Sequence, residues 1–104
     1  MTEKAANVLL LSEKDNVAIA LEDLCVDDTV FVLSPVDRSV TMKKIVIKDS
    51  IPFGHKVAIQ GIATNETVIK YGYTIGLAVE DVGTGEYVHV HNLKSRYMQQ
   101  NIES

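Results

Sequence analysis

The feature that most constrains this chain is how short its apolar runs are. Val8-Leu9-Leu10-Leu11, Val17-Ala18-Ile19-Ala20-Leu21 and Val30-Phe31-Val32-Leu33 are each cut off by residues that favour turns. Gly, Pro, Asn and Asp clusters recur at roughly 8 to 12 residues, the spacing of an all-β domain built from small strands. No amphipathic pattern persists for about 12 residues, so no substantial helix is expected. With 104 residues the chain suits one domain with a modest core.

Strands are predicted over 8–11, 17–21, 24–33, 40–48, 55–60, 67–71, 74–79 and 86–95. A short helix around 21–24 or in the tail is compatible with the pattern, giving at most one or two. Cys25 lies inside an apolar run and reads as a small core residue. Asp27-Asp28 reads as turn chemistry, not a carboxylate pair, because adjacent strand residues would point to opposite faces. Tyr71 and Tyr73 read as packing residues.

A weak repeat runs through the chain. Leu24-Cys25-Val26-Asp27-Asp28-Thr29-Val30, Ile62-Ala63-Thr64-Asn65-Glu66-Thr67-Val68 and Val82-Gly83-Thr84-Gly85-Glu86-Tyr87-Val88 share one pattern. An apolar residue opens it, an Asp, Asn or Gly is followed by an acid, and a valine starts the outgoing strand. Asp, Asn and Gly tolerate left-handed backbone, so each copy predicts a tight turn feeding a strand. The irregular period excludes a solenoid.

Composition narrows the function classes. A net charge of −4 disfavours nucleic acid, whose phosphates need a basic surface. No apolar run approaches the roughly 18 residues of a membrane span. No basic segment precedes the first apolar run, so no secretory signal is read. The single cysteine forms no internal disulfide and fits a reducing cytoplasm. Gly-rich phosphate loops, Cys-x-x-Cys pairs and Gly-x-Ser-x-Gly elbows are absent from the sequence.

The chemistry-bearing stretch is Glu86-Tyr87-Val88-His89-Val90-His91-Asn92-Leu93-Lys94-Ser95, which holds two of the three histidines. As one strand it places Tyr87, His89 and His91 on one face, with successive residues roughly 7 Å apart. His89 and His91 could then address one metal ion or anion, or form a solvated or interface face. An i, i+2 pair supplies two ligands, fewer than the three protein groups of a usual zinc or iron site. His55, placed by Gly54 at a strand start, is a possible third group, with Lys56 beside it. Lys70, Asn92 and Lys94 suit a carboxylate or hydroxyl, or else surface solvation and strand termination.

Four elements together resemble a known family. They are Ile51-Pro52-Phe53-Gly54-His55-Lys56-Val57-Ala58-Ile59, Val68-Ile69-Lys70-Tyr71-Gly72, Ile75-Gly76 and Val88-His89-Val90-His91-Asn92-Leu93-Lys94-Ser95. In this order they are similar to the SAF domain of the altronate and galactarate dehydratases, named for its likeness to the antifreeze-like domain of sialic acid synthases. The resemblance implies a small β-clip SAF domain over 1–95 and a polar tail over 96–104. It implies the small subunit, or N-terminal domain, of a sugar-acid hydro-lyase, inactive without a large dehydratase subunit or domain. Catalytic roles fall to His89 and His91, which also become metal ligands. Substrate binding falls to His55, Lys56, Lys70, Asn92 and Lys94. The implied cofactor is a divalent metal, iron or manganese, shared with the large partner. The alternatives are a sulfolactate sulfo-lyase small subunit, or a non-catalytic SAF module for carbohydrate binding or homo-oligomerisation.

Overall fold

The computed structural model describes residues 5–89 and 93–95; at 5, 6, 41–43 and 93–95 only the backbone is considered. The strands are β1 (Ala5–Leu9), β2 (Val17–Ala20), β3 (Thr29–Leu33), β4 (Val40–Val46), β5 (Lys56–Ala58), β6 (Thr67–Lys70), β7 (Tyr73–Ala78), β8 (Tyr87–Val88) and β9 (Leu93–Ser95). One sheet has the order β4-β3-β1-β2-β5-β8 and the other β6-β7-β9. β1 and β3 pair in parallel, and the remaining strand pairs are antiparallel. The fold is all-β, with no helix among the described residues. At 21–24 the chain bends, and Leu24 bridges to Ile51 instead of opening a helical turn.

The repeated turn organises these strands, and it occurs a fourth time at Ile51-Pro52-Phe53-Gly54-His55-Lys56-Val57. In each copy the fifth residue's N–H donates to the second residue's carbonyl: Asp28 to Cys25, His55 to Pro52, Glu66 to Ala63 and Glu86 to Gly83, at 2.9–3.1 Å. The fourth residue has positive φ every time: Asp27 at 76°, Gly54 at 86°, Asn65 at 72° and Gly85 at 89°. Its N–H donates to a carbonyl elsewhere, respectively that of Ile47, Ala20, Ala78 and Ala58. The N–H of that same receiving residue returns a bond to the fifth residue's carbonyl, at 2.8–3.0 Å.

The docking is reciprocal. The first turn, starting at Leu24, docks on Ile47, four residues ahead of the second turn. The second docks on Ala20, four residues ahead of the first. Their opening residues, Leu24 and Ile51, bond N–H to carbonyl in both directions. The third and fourth turns repeat the arrangement through Ala78, Ala58 and the Ile62–Val82 bridge.

Each pair of turns has its own core. Leu24, Val30, Ile51 and Val57 join Ala20 and Ile47 in a cluster that includes Val8, Ala18, Val32, Ile45 and Ile59. Ile62, Val68, Val82 and Val88 join Ala58 and Ala78 in a second cluster with Val17. The apolar first and seventh positions of the repeat are thus its inward positions.

Two residues tie the halves together. Asn16 is buried, donates its side-chain N–H to the Thr67 carbonyl at 2.9 Å and accepts from Ile69 N at 2.8 Å. The buried Asp15 carboxylate accepts from Tyr71 N at 2.7 Å and Gly72 N at 2.8 Å. The β6–β7 hairpin is therefore fastened to the loop before β2 by satisfied buried polar groups.

Three local expectations are corrected. Cys25 is exposed, because the second position of the turn faces outward. Tyr71, in the left-handed region at φ 56°, and Tyr73 are both exposed at the hairpin, so neither packs. The 86–95 stretch is not one strand. β8 ends at Val88 on the edge of the larger sheet, and the chain re-enters regular pairing at β9, on the edge of the smaller one. Among the described residues no helix is long and apolar enough to cross a membrane.

Candidate functional site

The second turn differs from its siblings in one chemical respect. In the other three, the acidic fifth residue accepts a bond from the second residue's backbone N–H. Asp28 does so from Cys25 at 2.8 Å, Glu66 from Ala63 at 2.7 Å and Glu86 from Gly83 at 2.9 Å. In the second turn the donor position is Pro52, which has no N–H. An acid there would have no turn bond to make, and the residue present is His55.

His55 turns instead toward β8. β5 and β8 pair antiparallel, with Val57 opposite Tyr87 and Lys56 opposite Val88. The register brings the Tyr87 hydroxyl within 2.7 Å of His55 Nδ1. The two rings meet edge-on, 5.6 Å apart at 82°. His89 also contacts Tyr87, with ring centroids 4.5 Å apart and a 51° tilt. The predicted sharing of a face by Tyr87 and His89 therefore holds, although the strand stops between them. Tyr87 is further held by its backbone N–H, which donates to Asp49 Oδ2 at 2.9 Å, and by packing against the first core.

The lysines lie elsewhere. Opposed residues in an antiparallel pair share a face, so Lys56 lies with Ile19 and Val88, on the side of the second core. His55, Val57 and Tyr87 occupy the opposite side. Lys56 is half-buried, and its pKa lies below the usual lysine value, first because burial disfavours the ammonium and second because the Lys70 charge is close. Two cations drawn together in a partly dry place favour an anion between them.

His91 and Asn92 lie outside the described residues, as does the side chain of Lys94, whose backbone pairs with Leu77. Among the described residues no group of three or more His, Cys, Asp or Glu could hold a metal ion. His55 and His89 alone fall short of the usual three protein ligands. Sequence reasoning missed Tyr87 as a member of the site; its signal was its place beside the histidines, one strand from Gly54-His55. It also missed Asp15 and Asn16, which position the hairpin ending in Lys70.

A cleft of about 460 Å³ opens between the halves, lined by Asn16, Gln60, Asn65, Glu66, Thr67 and Ile69. None of the predicted histidines or lysines lines it. The histidine and lysine faces, which carry the imidazoles and ammonium groups, are the better chemical candidates.

Comparison with known proteins identifies the family. The family model described as altronate/galactarate dehydratase SAF domain matches residues 6–96. The chain is 36% identical over 85 residues to an altronate dehydratase of Bacillus subtilis (strain 168), covering 82% of this chain and 16% of that protein. It is 38% identical over 81 residues to an altronate dehydratase of Escherichia coli (strain K12), covering 78% of this chain and 15% of that protein. It is 54% identical over 50 residues to a (2R)-sulfolactate sulfo-lyase subunit alpha of Chromohalobacter salexigens, covering 48% of this chain and 53% of that protein. The chain thus spans about a sixth of the altronate dehydratases and about half of the sulfo-lyase subunit. The described turns, both cores and the His55–Tyr87–His89 cluster all lie within the matched span, and the chain belongs to the SAF-domain family of the altronate and galactarate dehydratases.

Proposed function

We propose that this chain is the SAF part of a sugar-acid hydro-lyase, acting beside a larger catalytic subunit or domain on altronate, galactarate or a close relative. The observation that carries the reading is the histidine cluster. His55 is relieved of its turn duty and held with His89 around Tyr87, in a domain whose relatives are dehydratases and a lyase subunit. A chain covering about a sixth of such a dehydratase leaves most of the active site to the partner.

Dehydration of a sugar acid removes a proton beside the carboxylate and expels a hydroxyl at the next carbon. Histidine can carry either proton near neutral pH. His89 and His91 take the proton-transfer roles, and His55 binds a substrate hydroxyl. Lys56 and Lys70 hold a carboxylate from the other face of β5, and Asn92 and Lys94 extend the binding groups along the same stretch. A divalent metal, iron or manganese, would stabilise charge developing on the carboxylate. The described residues do not complete a shell for it, so most ligands would come from the partner. The single cysteine fits a cytoplasmic setting.

The sulfo-lyase reading is favoured by one observation, the 54% identity over 50 residues. Both readings are tested by assembling this chain with its large partner and assaying altronate, galactarate and (2R)-sulfolactate. Turnover of a sugar acid, lowered about tenfold or more by His89→Ala and by His91→Ala, is expected. Turnover of sulfolactate alone would select the second reading. Wild-type rates in both variants would overturn the site assignment.

A further inference from the structure

Tyr87 sits at the sixth position of the fourth turn, where the first and third turns have Thr29 and Thr67 and the second has Lys56. Nothing in the turn's hydrogen bonding requires an aromatic residue there. Yet Tyr87 is held more firmly than a residue on a two-residue edge strand needs. Its N–H is taken by Asp49, its backbone is paired with β5, and its ring rests on the first core in contact with two imidazoles.

We infer that Tyr87 is a positioning residue that fixes the ring orientation and tautomer of His55 while holding His89 alongside, an inference resting on the proposed lyase role of these histidines. The phenol is a stronger acid than a neutral imidazole N–H, so across the 2.7 Å contact the hydroxyl donates and Nδ1 accepts. Neutral His55 then carries its hydrogen on Nε2, and this N–H is the group offered to a substrate oxygen. When His55 gains a proton, Nδ1–H donates and the phenol oxygen accepts. A hydroxyl can serve in both directions, so one side chain keeps the imidazole in place in both charge states. A third element completes the device. Pro52 removes the turn N–H that would otherwise favour an acid at position 55. The ring of Tyr87 also contacts His89 at a tilt, so the two imidazoles are set relative to each other by one rigid side chain with few rotatable bonds.

The test compares the full-length wild-type chain with Tyr87→Phe, which keeps the ring and its packing and removes only the hydroxyl. Nitrogen-15 spectra that report imidazole tautomers should show wild-type His55 in one neutral form, with hydrogen on Nε2. Tyr87→Phe should show a mixture of both forms, with His89 little changed. Tyr87→Ala, which removes the ring as well, should shift the signals of both histidines. Identical His55 tautomer populations in wild type and Tyr87→Phe would overturn the inference while leaving the lyase reading intact. In the assembled enzyme, Tyr87→Phe should lower kcat about fivefold and alter its pH profile, with KM little changed. A tautomer shift together with wild-type turnover in both His55→Ala and His89→Ala would instead overturn the proposed role of these histidines in the lyase.

Discussion

The two halves of the chain are built on the same pair of reciprocally docked turns, and they differ in what the fifth residue of each turn does. In the second half both acids, Glu66 and Glu86, close their own turns. In the first half Asp28 does the same, but His55 reaches out of its turn to Tyr87 on the other half. Four turns share one backbone hydrogen-bond scheme, so the side-chain bond is an addition that one copy can lose. A repeated scaffold with one relaxed position is a natural place for a functional side chain, since its removal from structural duty leaves the backbone network in place.

The halves also differ in how tightly the fourth position is packed, and this gives the largest expected effect. Gly85 is buried, with φ at 89°, and an added Cβ would meet the Val46 carbonyl oxygen at 2.1 Å. Gly54 has a similar φ but nothing within 4 Å of an added Cβ. Gly85→Ala should therefore destabilise by about 4 kcal/mol and Gly54→Ala by about 1 kcal/mol, read from urea unfolding. Equal losses would show that the fourth turn is not pressed against the end of β4.

The link between the halves comes next. Asn16→Ala would leave the Thr67 carbonyl and the Ile69 N–H without their side-chain partner, costing about 2 kcal/mol. Hydrogen exchange should quicken first in the β6–β7 hairpin.

A smaller contrast concerns the fifth position itself. Glu66→Ala and Glu86→Ala should each cost about 1 kcal/mol through the lost backbone bond, whereas His55→Ala should cost no more than about 0.5 kcal/mol. A loss at His55 matching that at Glu86 would mean the histidine is structural after all.

The smallest effect is a pH dependence. Asp81 accepts from both Thr64 N and Thr64 Oγ1, each at 2.8 Å. The Thr64 backbone bond, then its hydroxyl, holds the Asp81 pKa below its ordinary value of 3.8. A carboxyl whose folded pKa is depressed stabilises the fold above the unfolded value, and that contribution fades as pH falls through the folded one. Asp81→Asn should therefore lower stability slightly at neutral pH and flatten its loss below about pH 4. Its counterpart Asp23 accepts from Phe53 N, where the residue supplies no hydroxyl.

The sequence made the strands legible because apolar runs alternate with turn residues, and it made three of the four turns legible because each keeps its acid. The second turn was hidden by Pro52 and His55: changing the donor and the acceptor together preserves the fold and erases the pattern. Cys25 misled because an apolar neighbour on each side resembles a strand, whereas the second turn position points outward. The histidine stretch misled for a related reason. Alternating valines and histidines fix which face a residue occupies, and Tyr87 and His89 do share one. They cannot fix where a ladder ends, which depends on how far β5 extends as a partner. The separation of His55 from Lys56 onto opposite faces followed from local alternation, but pairing His55 with Tyr87 required the β5–β8 register.

The most direct test restores the missing turn bond. A Pro52→Ala, His55→Glu double variant returns the donor and the acid found in the other copies. Assembled with the proposed large partner, it should be at least as stable as wild type yet turn over substrate about tenfold more slowly or worse. Full activity in that variant would contradict the assignment of the second turn to the site, and a clear loss of stability would contradict the equivalence of the four turns.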